Sequence, residues 1–278
     1  MHSCLMHESL FAFLFDSLVA THRVSFKKNI VMNDITLGLL DMMPNSFRYQ
    51  GHESPQSDVT AQILQFIPKD AHVLDVGCSS GNLMRWIKEL CNAQVYGIEA
   101  NKYSAEVAIK RGFDVQCCTF EDYSPNVQEQ FDVIIFADVL EHLINPGAAL
   151  QKAHQLLKEN GIVITSIPNI AHWTIRLNLL SGKFEYEPIG LLDATHLRWF
   201  TQKTLYRLFS KTNFKIESMA YSEGEWLPAY QTEVPWKWVN SWHRRKIIHN
   251  LVSIFPTLFA CQFIVKASKI LSPTVNSW

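Results

Sequence analysis

The stretch VLDVGCSSGNLMRWI, residues Val73 to Ile87, decides the reading of this chain. Its first part is a short apolar run that suits a buried strand, its middle is a turn with Gly77 and Gly81, and its last part has helical periodicity. Gly77 has no Cβ, so a ligand can approach the backbone there. Gly81 lets the chain turn into a helix whose first N–H groups attract a carboxylate. The turn is not the GxGxxG of dinucleotide folds, because Ser79 stands where a glycine would be, and this counts against NAD.

Working outward, YGIEAN from Tyr96 to Asn101 closes a second strand on Glu99, roughly two dozen residues after Asp75. That is the interval at which an acidic side chain meets a ribose, and a carboxylate can accept from both ribose hydroxyls. Strand, glycine turn, helix and a strand ending in Glu together suit a nucleoside that carries an amino-acid tail.

Strands are expected at His72–Gly77, Gln94–Glu99, Asp114–Cys118, Phe131–Ala137 and Ile162–Ile167, with amphipathic stretches between them. The alternation predicts βαβ units. Asn145 as N-cap and Pro146 at the first position start a helix with Leu150, Ala153, Leu156 and Leu157 on one face, stopping at Gly161. Val59, Ile63, Leu64 and Ile67 predict a helix over the first strand, and Thr201 caps one that carries Leu205, Leu208 and Phe209. Two more strands are expected near Phe214–Ala220 and Phe259–Lys266. Between them lies an insertion with Trp226, Trp236, Trp238 and Trp242, then His243, Arg244, Arg245 and Lys246. The fold class is therefore α/β, a doubly wound, seven-stranded, mostly parallel sheet with a helical insertion before the last strand. The domain division is an N-terminal extension over 1–30, a cofactor-binding domain over 50–223, a Trp-rich cap over 224–258, and a last strand with tail over 259–278.

Hydrophobic residues at 47% and charged ones at 18% fit a packed protein and exclude disorder. A net charge of −1 from 25 basic and 26 acidic residues gives no broad electrostatic footprint for nucleic acid. None of the six cysteines forms a CxxC pair, so a zinc ribbon is not expected and reduced, cytoplasmic thiols are. The apolar run Leu10 to Phe15 has no Lys or Arg before it, and Asp16 breaks it, so no signal peptide is expected. The uncharged stretch Leu251 to Val265 contains Pro256 and is too short to span a membrane.

The chain resembles the class I S-adenosylmethionine-dependent methyltransferases from about Val59 to Lys266, most specifically in VLDVGCSSGN, YGIEAN and FDVIIFADVLEHLINP. The last of these, with LKENG and SIPN, is similar to the subgroup of ubiquinone-biosynthesis O-methyltransferases and bacterial surface-glycan methyltransferases. GLLDATHLRWFT, from Gly190 to Thr201, is closer to the glycan type. The resemblance implies S-adenosyl-L-methionine as cofactor and methyl transfer to a small acceptor. It further implies that Asp75, Gly77, Cys78, Ser79 and Gly81 flank the methionine moiety and that Glu99 meets the ribose. Ala100, Asn101, Thr119, Phe120 and Glu121 would border the adenine, and Asp138 would lie beneath the methionine end. Where many relatives have Gly-Asp this chain has Cys117 and Cys118, which leaves Glu121 as the candidate for the adenine amino contact.

A hydroxyl acceptor needs its proton removed, and a histidine titrating near pH 6.5 suits that step. His142, just after the fourth strand, is the first candidate; His196 is the second, with Asp193 to orient it. Arg198 could pair with Asp193. Glu141 and His142 are ligand types, but no further ligand can be placed, so no metal is expected. Peripheral membrane contact through the Trp-rich insertion and homodimerisation are both compatible with the sequence. Two other readings stay open, an NAD-dependent dehydrogenase or epimerase, and a non-catalytic scaffold that binds the cofactor.

Overall fold

The computed structural model describes residues 58–124, 130–233 and 235–270. In chain order these form α1 (Asp58–Phe66), β1 (His72–Val76), α2 (Asn82–Cys91), β2 (Gln94–Glu99), α3 (Lys102–Lys110), β3 (Asp114–Cys117) and β4 (Phe131–Ala137). Then come α4 (Pro146–Leu156), β5 (Leu157–Pro168), α5 (Trp173–Leu180), α6 (Gln202–Lys211), β6 (Phe214–Ser222), α7 (Pro228–Gln231), α8 (Ser241–Ile254), α9 (Pro256–Phe259) and β7 (Gln262–Lys269). Short 3-10 turns occupy Leu140–His142 and Trp236–Trp238.

The strands lie in the order β3-β2-β1-β4-β5-β7-β6. β1 to β5 are parallel, and β7 runs antiparallel to both β5 and β6. The doubly wound, mostly parallel sheet read from the sequence is therefore present, with its helical insertion before β7. Strands covered on both faces need apolar residues at every position. Accordingly Val73, Val133, Ile135, Ile162 and Ile164 enter one core, while Leu74, Ile134, Phe136 and Val163 enter the other.

Local chemistry sets the helix ends. Asn145 Oδ1 accepts from the Ala148 N–H at 3.0 Å, Pro146 follows it, and Leu150 and Ala153 are fully buried. Such a cap stabilises by about 1 kcal/mol. Thr201 and Thr204 form a reciprocal capping box at the start of α6.

Several boundaries differ from expectation. α4 ends at Leu156 rather than Gly161, because Leu157 already pairs with Phe131. The next pair is Ile162 with Val133, so the residues between bulge outward, and Lys158 reaches Asp132 at 2.8 Å. Phe259 belongs to α9 rather than to the last strand, since Pro256 starts a short helix there. α1 leans on α2, β5, β6 and β7 rather than mainly on β1, and Gln62 Nε2 donates to the Tyr221 carbonyl at 2.9 Å. The segment 1–30 and residues 271–278 lie outside the described residues.

Two consequences position the site. The chain steps outward from β1 through β2 to β3, then returns to lay β4 on the other side of β1, so the strand order reverses between β1 and β4. Open α/β sheets bind ligands above such a reversal, at the carboxyl ends of the strands. Pro168 at the end of β5 and Ser222 at the end of β6 both pair with Gln262. The insertion between β6 and β7 thus leaves the sheet at that same edge. Among the described residues no helix is long and apolar enough to cross a membrane.

Candidate active site

The turn after β1 is built by backbone constraint. Gly77, Ser79 and Gly81 have φ of 72°, 49° and 82°. A Cβ on Gly77 would lie 2.7 Å from Val139 Cγ2, and one on Gly81 2.7 Å from the Phe113 ring, so both positions need glycine for space as well as for φ. The Gly77 and Cys78 N–H groups donate to the Ile98 carbonyl at 2.7 and 3.1 Å. Gly81, the N-cap of α2, offers no side-chain acceptor to the helix's first N–H groups.

Glu99 ties this turn to the next one. Its Oε2 accepts from the Ser79 N–H at 2.8 Å and its Oε1 from the Asn101 N–H at 2.7 Å. A carboxylate has further lone pairs, so these two bonds leave acceptor capacity on both oxygens. Asp75, behind the turn, is 1% exposed, and its Oδ2 has no hydrogen-bond partner. Burial, and then the Glu99 charge, raise its carboxyl to about 8. Burial likewise pushes the Cys78 thiol up, which leaves it no nucleophilic role.

The residues expected around the adenine divide. Asn101 Oδ1 caps α3 by accepting from Ser104 N at 3.0 Å. Thr119 Oγ1 donates to Asp122 at 2.8 Å, and Glu121 is exposed. Phe120 is 4% exposed and meets Phe136 edge-on at 5.3 Å, so its ring belongs to the core and only its backbone reaches the edge. Lys152 of α4, which sequence reasoning missed, fixes this loop by donating to the Phe120, Glu121 and Tyr123 carbonyls at 2.7, 2.8 and 2.6 Å.

At the end of β4, Asp138 adopts φ 54°, and its Oδ1 accepts from Ser166 Oγ at 2.9 Å and Gln262 Nε2 at 2.7 Å. Neither partner was foreseen, because both come from strands far along the chain. The 3-10 turn that follows puts Glu141 in the interior and leaves His142 half-buried. The Glu141 carbonyl accepts from the Leu197 and Arg198 N–H groups at 2.8 and 2.9 Å, which draws the 190–200 crossover over the site. As a result the His142 and His196 rings meet edge-on, 4.8 Å between centroids. One ligand atom each from Glu141, His142 and His196 lies within 4.8 Å of the other two.

Asp193 does not act as expected. Its Oδ1 accepts from the Thr195 N–H and hydroxyl at 2.8 and 2.6 Å, while His196 Nδ1 has no hydrogen-bond partner. The Thr195 carbonyl in turn faces His142 Nδ1 at 3.2 Å. Asp193 therefore holds Thr195, and through it His142. Arg198 donates to the Ile144 and Leu197 carbonyls rather than to Asp193. Burial, and then neighbouring His142, lower the His196 imidazole to about 4, against the pull of Asp193 and the Leu191 carbonyl. Glu141 is pushed well up by burial and then by Asp138, with Asp193 adding to the shift and its own backbone N–H opposing it. His172 is structural: it caps α5, and its Nε2 lies 3.3 Å from the buried Tyr230 hydroxyl of the insertion.

A doubly wound sheet with this glycine turn, an acidic end to β2 and a cluster of titratable groups after β4 defines an α/β enzyme that binds a nucleoside-type cofactor. A family of methyltransferase domains matches residues 47–219, and the chain belongs to that family. Among similar proteins, a ubiquinone biosynthesis O-methyltransferase of Bradyrhizobium diazoefficiens is 31% identical over 103 residues, 35% of this chain and 40% of that one. Another, from Rhodopseudomonas palustris, is 33% identical over 130 residues, 45% of this chain and 49% of its own. The chain thus spans less than half the length of either relative. The crystal structure of a SAM dependent methyltransferase from Archaeoglobus fulgidus shares the fold with a TM-score of 0.51 at 18% identity, covering 75% of this chain and 90% of that one.

Asp75 supplies a pH test. Below its unfolded value near 4 the carboxyl is protonated in both states. As pH rises toward about 8 only the unfolded chain ionises, so this group's contribution to stability is lost across that window. Asp75→Asn stays neutral throughout. In thermal unfolding without ligand its stability relative to wild type is expected to rise between about pH 5 and about pH 8. A difference that does not change with pH would contradict the shifted carboxyl.

Proposed function

We propose that this chain transfers the methyl group of S-adenosylmethionine to a hydroxyl oxygen of a small acceptor, a saccharide or a quinone precursor. The observation that carries this reading is the juxtaposition, on one sheet edge, of the Glu99-tied turns and the cluster around His142. The similarity to ubiquinone biosynthesis O-methyltransferases supports oxygen as the acceptor atom.

In this reading Asp75, Gly77, Cys78, Ser79 and Gly81 flank the methionine moiety, whose carboxylate takes the uncapped N–H groups of α2. Glu99 accepts from the ribose hydroxyls with the lone pairs that Ser79 and Asn101 leave free. Ala100, Asn101, Thr119, Glu121 and the Phe120 backbone border the adenine, and Asp138 lies beneath the sulfonium end. Residues 50–223 form the catalytic domain, and 224–258 cap its acceptor side.

The reaction asks little of the protein beyond alignment and charge. A lone pair of the acceptor oxygen forms the new bond to the methyl carbon as the carbon–sulfur bond breaks, and that bond's electrons stay on sulfur. The hydroxyl proton leaves at the cluster of His142 and His196, which Asp193 positions through Thr195.

Glu99→Ala removes a charged acceptor worth about 1.5–3 kcal/mol per hydrogen bond. It is expected to weaken S-adenosylhomocysteine binding on the order of 10-fold or more by calorimetry, with a smaller loss of stability because the Ser79 and Asn101 N–H groups lose their partner. Unchanged affinity in the folded variant would remove the ribose assignment.

His142→Ala is expected to keep cofactor affinity while turnover with the true acceptor falls roughly 100-fold to 10,000-fold. Near-normal turnover would leave His142 a structural residue.

A further inference from the structure

Glu141 is 1% exposed, and apart from the weak pull of its own backbone N–H neither of its carboxylate oxygens has a hydrogen-bond partner among the described residues. Interiors rarely keep such a group. Protonation does not resolve the problem at the distances present, since the resulting O–H would have no acceptor within hydrogen-bond reach. His196, 7% exposed, presents a second orphan, its Nδ1. His142 completes the set: the Thr195 carbonyl opposite Nδ1 fixes the tautomer that leaves Nε2 with its lone pair. An imidazole whose other nitrogen donates to a carbonyl is the usual state of a metal-bound histidine.

These three groups converge. Their ligand atoms lie within 4.8 Å of one another, whereas ligands around a tetrahedral zinc stand about 3.3 Å apart, so a bound cation draws them together modestly. We propose that Glu141, His142 and His196 hold one divalent transition-metal cation, with Zn2+ the first choice for a two-nitrogen, one-carboxylate set. This departs from the expectation of no metal. The sequence offered only the adjacent pair, and the third ligand comes from the crossover that hangs on the Glu141 carbonyl.

Three protein ligands leave a position open. An acceptor hydroxyl in that position loses its proton more readily under the cation's charge, and the proton passes to solvent water. This role rests on the methyl-transfer reading, whereas the binding site itself rests on geometry alone. With the cation present, the His142 lone pair serves as a ligand in place of its role as proton acceptor, and Asp193 and Thr195 keep the ring in place.

The test uses the full chain, stripped with a chelator, dialysed and titrated with ZnCl2. Bound metal is counted by elemental analysis and affinity is measured by calorimetry. S-adenosylhomocysteine is titrated into the same samples. One equivalent of Zn2+ is expected. Glu141→Gln and His196→Asn should each weaken binding on the order of 10-fold to 100-fold or more, while the exposed His249→Asn leaves it unchanged. Co2+ substitution gives a second readout, visible absorption bands that both site variants lose. Absence of Zn2+ and Co2+ binding, or equal affinity in all variants, would overturn the site. Homocysteine-nucleoside binding without metal binding would sink the cation while sparing the methyl-transfer reading. Site-dependent metal binding without nucleoside binding would do the reverse.

Discussion

Two N–H groups from different turns, those of Ser79 and Asn101, converge on the single carboxylate of Glu99. That convergence is the constraint on which the site depends. It fixes the turn after β1 against the turn after β2, at the edge where the strand order reverses. The turn can come so close only because Gly77 and Gly81 lack side chains that would strike Val139 and Phe113. A glycine count does not describe this arrangement. What matters is that positive φ, close packing and an acidic strand end coincide within a few ångströms.

Buried carboxyl groups account for the other half of the site. Asp75 and Glu141 are both 1% exposed, and each has at least one oxygen without a partner. A fold selected for stability alone would replace such groups with apolar ones of similar volume. Such groups at the ligand-binding edge of the sheet suit a site that takes positive charge, a sulfonium on one side and a cation on the other. The probabilistic link between displaced titration and function gives the same direction.

Much of the fold was legible in the sequence because parallel strands buried on both faces carry a continuous apolar signal. β4 begins and ends where that signal does, and β2 keeps the bounds read from the sequence, Gln94–Glu99. β5 begins earlier than expected, since the pairing of Leu157 with Phe131 is a tertiary fact that local pattern does not encode. On the cofactor side, Gly77, Gly81 and Glu99 could be found because spacing along the chain mirrors spacing in space. The acceptor side was only half visible. Glu141 and His142 are neighbours in sequence, but His196 joins them through hydrogen bonds to the Glu141 carbonyl, and Lys152, Ser166 and Gln262 arrive from other elements. Nothing in the local pattern around those residues announces their destination.

The central claim is that one edge of the sheet binds the methyl donor with its sulfur facing the Glu141, His142 and His196 cluster. A crystal structure of the full chain grown with S-adenosylhomocysteine tests it most directly. The account predicts ribose hydroxyls against Glu99, the amino-acid carboxylate at the start of α2, and the sulfur turned toward Asp138 and the cluster beyond it. Nucleoside density at any other edge, or a sulfur turned away from the cluster, would contradict it.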